Sequence, residues 1–231
     1  MAFVEIHGGR KVLVEKSFRM VFKDLLIRPF FRKEIRIRGW KNILVRKSDK
    51  WHPTIVDIFY SNLNVRNDGT TFVTYLGMEY ELEHKSISDA LDIPILQNPH
   101  LQNPIHDILH IAPKITIEGK VNRGSSCIDF KSLKRNQAMV AYWLGYNVLG
   151  TSKPTGINRT IAHILWQLQT KNRNFCIVRI LYNTLTSAKR VALRVLITKI
   201  WRSVWKLPTP EGDYIAPKRM ILSKAIRLQC V

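Results

Sequence analysis

Residues Lys131 to Pro208 read KSLKRNQAMVAYWLGYNVLG, TSKPTGINRTIAHILWQLQT, KNRNFCIVRILYNTLTSAKR and VALRVLITKIWRSVWKLP in consecutive blocks. Apolar side chains recur through this stretch at i, i+3, i+4 and i+7, the spacing that puts them on one side of a 3.6-residue helix. Four helical segments follow from it. Leu133, Val140, Ala141, Leu144 and Val148 mark the first, closed by the Gly150 to Gly156 breaker. Ile157, Ile161, Ile164, Leu165 and Leu168 mark the second, and Val178, Leu181, Leu185 and Ala188 the third, with Arg179, Asn183, Thr186 and Arg190 opposite. Leu193, Ile197, Ile200 and Val204 mark the fourth, which Pro208 and Pro210 stop because their rings cannot continue a helix. Short connections between such helices favour antiparallel neighbours, so the expected fold is mainly α, a compact helical bundle with a small antiparallel β-hairpin in the N-terminal half.

The fourth segment also carries the candidate binding surface. Arg190, Arg194, Thr198 and Arg202 fall at steps of four, with Lys199 and Lys206 nearby and no acid in the segment. Two readings are open: a solvated helix face, or a stripe at Arg190, Arg194, Lys199, Arg202 and Lys206 that neutralises phosphates and releases their counterions. Trp201 and Trp205 either stack on single-stranded bases or pack inside the fold; burial is favoured because large aromatics mainly bury area.

The chain of 231 residues carries a formal charge of +20, which favours polyanions, nucleic acid first and an anionic membrane surface second. The charge is uneven. Residues 1–50 hold 14 Lys/Arg against 5 Asp/Glu, residues 51–130 hold 5 against 10, and residues 131–231 hold 18 against 2. Two basic regions therefore flank an acidic middle, which either folds back to neutralise them or faces a different partner. Cys127, Cys176 and Cys230 are odd in number and lack CxxC spacing, which argues against a disulfide framework and for a reducing compartment. No apolar run reaches the roughly 18 residues of a membrane span, and no signal peptide is read at the N-terminus; cytosol or nucleus is the expected location.

Four regions are expected: a basic extension over 1–50, an α+β part over 51–126, a basic helical part over 127–210 and a tail over 211–231. In the first, Phe18, Val21, Phe22, Leu25 and Leu26 share one face of a helix from Ser17 to Ile27, ended near Pro29. It reads as a core-docking helix, a membrane-surface helix or a transit peptide, with docking preferred. Arg32 to Arg38 alternates cationic and apolar residues, as an edge strand or an extended basic arm would.

In the second region Pro53 suits a first helical position, and Ile55, Val56, Phe59, Tyr60 and Leu63 mark an apolar helix. Asn67 to Gly69 is a turn, and the runs Thr70–Tyr75 and Met78–Leu82 pair across Gly77 as a hairpin. Ser86 to Asp89 resembles a capping box opening a short helix through Leu91. Ile115 and Ile117 alternate with Lys114, Thr116 and Glu118 as in a strand, and Gly124 to Ser126 is the best boundary between the halves.

Phe59-Tyr60-Ser61-Asn62-Leu63, the hairpin at Gly77, and Ser86-Ile87, Leu91, Ile93 and Pro94 together resemble the plant transposon protein domain of Athila-type retrotransposon open reading frames. The similarity continues through the Gly150–Gly156 linker, the segment from Asn158 to Ala188, Leu196 to Ile200, and Glu211-Gly212, covering Trp51 to Tyr214. It departs at Asp92, where a small residue is expected, and in the acidity of the hairpin. The resemblance implies a transposon-derived protein of gag-like or accessory character without an assigned catalytic activity.

Chemistry was sought and is weakly signalled. Metal-assisted strand transfer needs gathered carboxylates, but Asp57, Asp107, Glu118, Glu211 and Asp213 form no strand-borne set. His106 and His110 are four apart, but no paired cysteine or second close carboxylate completes a zinc site, so none is assigned. Walker, nucleophile-elbow and dinucleotide motifs are absent from the sequence. The expectation is a non-enzymatic protein, without cofactor, binding nucleic acid non-specifically. The alternative is a self-assembly or scaffold module that forms a homo-oligomer, its charge incidental.

Overall fold

The computed structural model describes residues 5–7, 10–12, 16–17, 28–43, 48–96, 108–117, 128–150, 156–170, 176–187, 190–216 and 218–219. In chain order these form β1 (Glu5–His7), β2 (Arg10–Val12), β3 (Lys16–Ser17), α1 (Arg28–Ile37), α2 (Pro53–Ser61), β4 (Leu63–Val65), β5 (Thr71–Tyr75), β6 (Met78–Glu81), α3 (His84–Leu91) and α4 (Ile108–Ile115). There follow β7 (Ile128–Asp129), α5 (Arg135–Asn147), β8 (Gly156–Ile157), α6 (Arg159–Gln169), α7 (Ile177–Thr186), β9 (Arg190–Val191), α8 (Arg194–Lys199) and β10 (Lys218–Arg219). The fold is mainly α with a small antiparallel sheet, as the periodicity requires.

The sheet has the order β4-β5-β6 and is one strand larger than the expected hairpin, because Leu63, read as the last helical residue, instead starts β4 and pairs with Val73. Its second connection is the two-residue turn Leu76-Gly77, where both residues have positive φ, +50° and +76°, the geometry that matches strand twist in a tight hairpin. In α2, Pro53 opens the helix and Ile55, Val56, Phe59 and Tyr60 are buried. The Tyr60 hydroxyl donates to the Ala192 carbonyl and accepts from the Ala192 N–H, at 2.9 and 3.0 Å, fastening α2 to the chain entering α8.

Three local readings are corrected. Arg32–Arg38 is neither strand nor extended arm: residues 28–37 are helix α1. Pro29 sits in its first turn, and Arg38 pairs with Glu34 at 3.0 Å across one turn, an i,i+4 contact that a period-2 reading overlooks. Of the strand expected at Lys114–Glu118, Lys114 and Ile115 instead close α4, whose Ile111, Ala112 and Ile115 are fully buried, and Thr116 makes an isolated bridge to Leu133; Glu118 lies outside the described residues. The helix through Leu91 begins at His84, two residues early, with Glu83 as cap: the Glu83 N–H donates to Ser86 Oγ at 3.2 Å, so Ser86 closes the box and does not open it. Asp92 then ends α3 in the left-handed region, φ +52°, a conformation that Asp tolerates better than most residues. Most of the predicted Ser17–Ile27 helix and the Gly124–Ser126 boundary lie outside the described residues, and Ser17 itself belongs to β3.

The four C-terminal segments appear as α5, α6, α7 and α8. Asn158 caps α6, its Oδ1 accepting from the Ile161 N–H at 2.9 Å. Almost every described side chain of α5 is buried, including Trp143 and Leu144, so this helix is apolar around its circumference and runs inside the core. One hydrophobic cluster extends from Ile35 through Trp143 to Trp201, and Cys176 is a small buried member of it. Long-range pairing joins the ends: β2 runs parallel to β9, and Trp51 bridges Ile215.

Candidate nucleic-acid interface

The five predicted cations lie around α8, and the physics of that helix sorts them. Arg194, Val195, Leu196, Ile197 and Thr198 are all buried, so the first turn of α8 is enclosed on every side. After Lys199 the helix widens into a π turn over Ile200–Val204, with the Trp205 N–H donating to the Ile200 carbonyl five residues back at 3.0 Å. A wider turn breaks the four-residue step. Arg194 and Thr198 point inward while Arg202 and Ser203 are exposed, Lys199 is half-buried and Lys206 is exposed at the helix end with φ +54°.

The expected stripe at Arg190, Arg194, Lys199, Arg202 and Lys206 is therefore not one face of one helix. Arg190 belongs to β9, where it pairs with Lys11. Arg194 is 3% exposed, and its guanidinium lies 3.9 Å from the centre of the Trp51 ring. Burial of an arginine stem and head against an indole is a structural use of the charge, worth about 2 kcal/mol when desolvated. Thr198 is consumed too: its hydroxyl accepts from the His52 N–H at 3.1 Å and donates to the Arg194 carbonyl at 3.0 Å.

What remains outward is a rim of Lys199, Arg202 and Lys206, with Ser203 between them. Ser203 was not singled out from sequence, and its i,i+4 relation to Lys199, whose carbonyl accepts from Ser203 Oγ at 2.5 Å, is the signal that places it there. Arg202 rests over the Tyr214 ring at 5.5 Å, so the chain after Pro208 steadies it. That same strap covers His52: Tyr214 meets the His52 ring edge-on at 5.0 Å, and Gly212 lies so close that an added Cβ would stand 3.3 Å from His52 Cε1. His52 is fully buried, and neither ring nitrogen has a hydrogen-bond partner among the described residues.

The acidic middle does not neutralise this rim by ion pairs. Glu79 pairs with Arg66 within the sheet, Lys85 with Asp89 along α3, and Glu34 with Arg38. Among the described residues Lys199, Arg202 and Lys206 make no ion pair. The tryptophans belong to the fold. Trp201 is fully buried, its Nε1–H donating to the Pro208 carbonyl at 3.0 Å. Trp205 is partly buried, stacks on Phe59 at 6.1 Å and donates to the Glu81 carbonyl at 3.1 Å.

Among the described residues no three His, Cys, Asp or Glu side chains gather where they could hold a metal ion, and His110 is exposed on α4 while His106 lies outside them. Asp57 is half-buried on α2, and Glu211 and Asp213 are exposed on the strap. No helix among the described residues is long and apolar enough to cross a membrane. No protein-family model, curated protein or solved structure matches this chain.

Proposed function

We propose that this chain is a non-enzymatic, retroelement-derived protein of gag-like or accessory character, working in the cytosol or nucleus, that binds nucleic acid through its phosphates. The helical back half, a compact bundle in this reading, is the platform, and the rim of Lys199, Arg202 and Lys206 is the contact. The observation that carries it is the outward placement of three cations on a helix end with no acid from 191 to 210 and no ion pair to oppose them. Such contacts position a backbone and read no bases, so RNA, single-stranded DNA and duplex DNA all bind, and binding weakens with salt. The strap acids Glu211 and Asp213 set the limit of the surface on one side.

The test is fluorescence anisotropy with the three nucleic acids across a salt series, on wild type and on the triple variant Lys199→Ala, Arg202→Ala, Lys206→Ala. Each lost contact lowers the slope of log affinity against log salt by about 0.9 on duplex DNA and about 0.7 on single strands. The triple variant therefore loses about 2 to 3 from the slope. Salt-independent binding by wild type, or an unchanged slope in the variant, refutes the phosphate contact.

A further inference from the structure

Among the described residues eight large apolar side chains stay exposed; Val65, Ile117 and Ile215 are scattered, and the other five lie in two groups. Leu76 and Met78, 80% and 58% exposed, form the tip of the β5-β6 hairpin. Ile37 and Leu96, near 40% exposed, line a cavity of about 310 Å³ between the end of α1, the chain leaving α3 and the start of α7, and Ile95, exposed to a similar degree, lies next to Leu96 in the chain. The cavity is walled by Ile37, Trp40, Ile93, Pro94, Leu96 and Ile177, with Arg36 and Arg38 at its edge. Arg38 is already occupied by Glu34 and Trp40, while Arg36 is exposed.

The tip is shaped in a way the fold does not require. A two-residue turn with both φ positive prefers Asn-Gly, and a leucine held there is strained. Leu76 takes that conformation and buries almost nothing in return. Behind the tip, Glu79 and Glu81 are exposed along β6, with Glu83 beyond them; only Glu79 is paired, with Arg66. The hairpin is thus an apolar knob on an acidic stem, and the cavity is an apolar socket with a basic edge.

We propose that the hairpin tip of one copy seats in the α1–α3–α7 cavity of a second copy, Leu76 and Met78 filling the socket and the β6 carboxylates meeting Arg36. The apolar character and the sign of charge match, and the socket is of a size with pockets that hold small apolar bodies, roughly 300 Å³ upward. Within one chain the tip stays in solvent, so the contact is between chains. Knob and socket are different surfaces, which makes the association head-to-tail: it closes into a ring or propagates as a filament and does not stop at a symmetric pair. This assembly does not depend on the phosphate-binding rim.

Sedimentation velocity of the full chain, treated with nuclease and studied over a concentration series, provides the test. Wild type sediments faster as concentration rises. Leu76→Asn keeps a residue that favours the turn, so it stays folded with an unchanged or higher Tm, and self-association weakens by roughly tenfold or more. Arg36→Glu, at an exposed position, does the same through the socket edge. The decisive sample is an equal mixture of the two variants: one retains the socket, the other the knob, and together they stop at a dimer. A monomeric wild type, variants that associate like wild type, or a mixture that stays monomeric each overturns the proposal. Nucleic-acid affinity measured on Leu76→Asn below its association range stays at the wild-type value, so loss of assembly and loss of phosphate binding are told apart.

Discussion

Replacing Arg194 with methionine separates a structural cation from a binding one. The guanidinium sits 3.9 Å from the Trp51 ring centre at a residue only 3% exposed, so it cannot reach a phosphate without leaving the core. Methionine keeps the apolar stem and removes the charge over the indole. A desolvated cation–π contact contributes about 2 kcal/mol. In a chain of this length each kcal/mol lowers Tm by about 2–4 °C, so Arg194→Met melts about 4–8 °C below wild type. Its salt slope for duplex DNA stays at the wild-type value, whereas Arg202→Ala lowers the slope by about 0.9 with little change in Tm. Calorimetry and the anisotropy titration, run on both variants, give the answer. An Arg194→Met protein with wild-type Tm and a reduced slope would refute the inward assignment and add Arg194 to the rim.

Two further outcomes test the strap and the α3 region. Gly212→Ala destabilises by about 1–3 kcal/mol, because φ +130° is a glycine conformation and the new methyl would press on His52 Cε1; a urea midpoint equal to wild type, at equal m, would show that the strap does not seal His52. The pKa of His84 is held below that of a free histidine by burial first and by the Arg179 charge second, against the opposing pull of Glu83. The folded protein therefore binds this proton less readily than the unfolded chain. Stability falls as pH drops through about 6.5 and levels off once pH is below the folded value, so replacing His84 with asparagine flattens urea midpoints between about pH 7 and 5. An identical pH dependence in variant and wild type would exclude His84 as a contributor.

Much of the fold was legible because its signals are local. Proline at the head of α2, Asn67-Asp68-Gly69, the glycine in the β5-β6 turn and the 3.6 period of α5 to α8 act over a few residues, and each produced the element it announced. The misses at α1, α4 and β4 share a cause. Over five or six residues, alternation and helical spacing fit the same apolar pattern, and what accompanies the observed choice is the one-turn Glu34–Arg38 pair at the end of α1, the buried side of α4 and the pairing of Leu63 with Val73 in β4. In the candidate site the charge of Lys199, Arg202 and Lys206 is legible in the sequence, but the burial of Arg194 is not, because charge is a poor guide to depth inside a helix enclosed all round.

Composition and order determined that residues 131–231 are basic and nearly without acids and that helices recur between Lys131 and Pro208; that follows from side-chain chemistry and a fixed helical period. Which of those cations reach solvent was decided only in three dimensions. Trp51 sits about 140 positions before Arg194, the strap at Gly212 and Tyr214 closes over His52, and a π turn rephases the helix between Thr198 and Arg202. Periodicity gives the angle between two side chains on one helix. What stands opposite each of them depends on distant parts of the chain, and that sets which charge is desolvated and which stays in solvent.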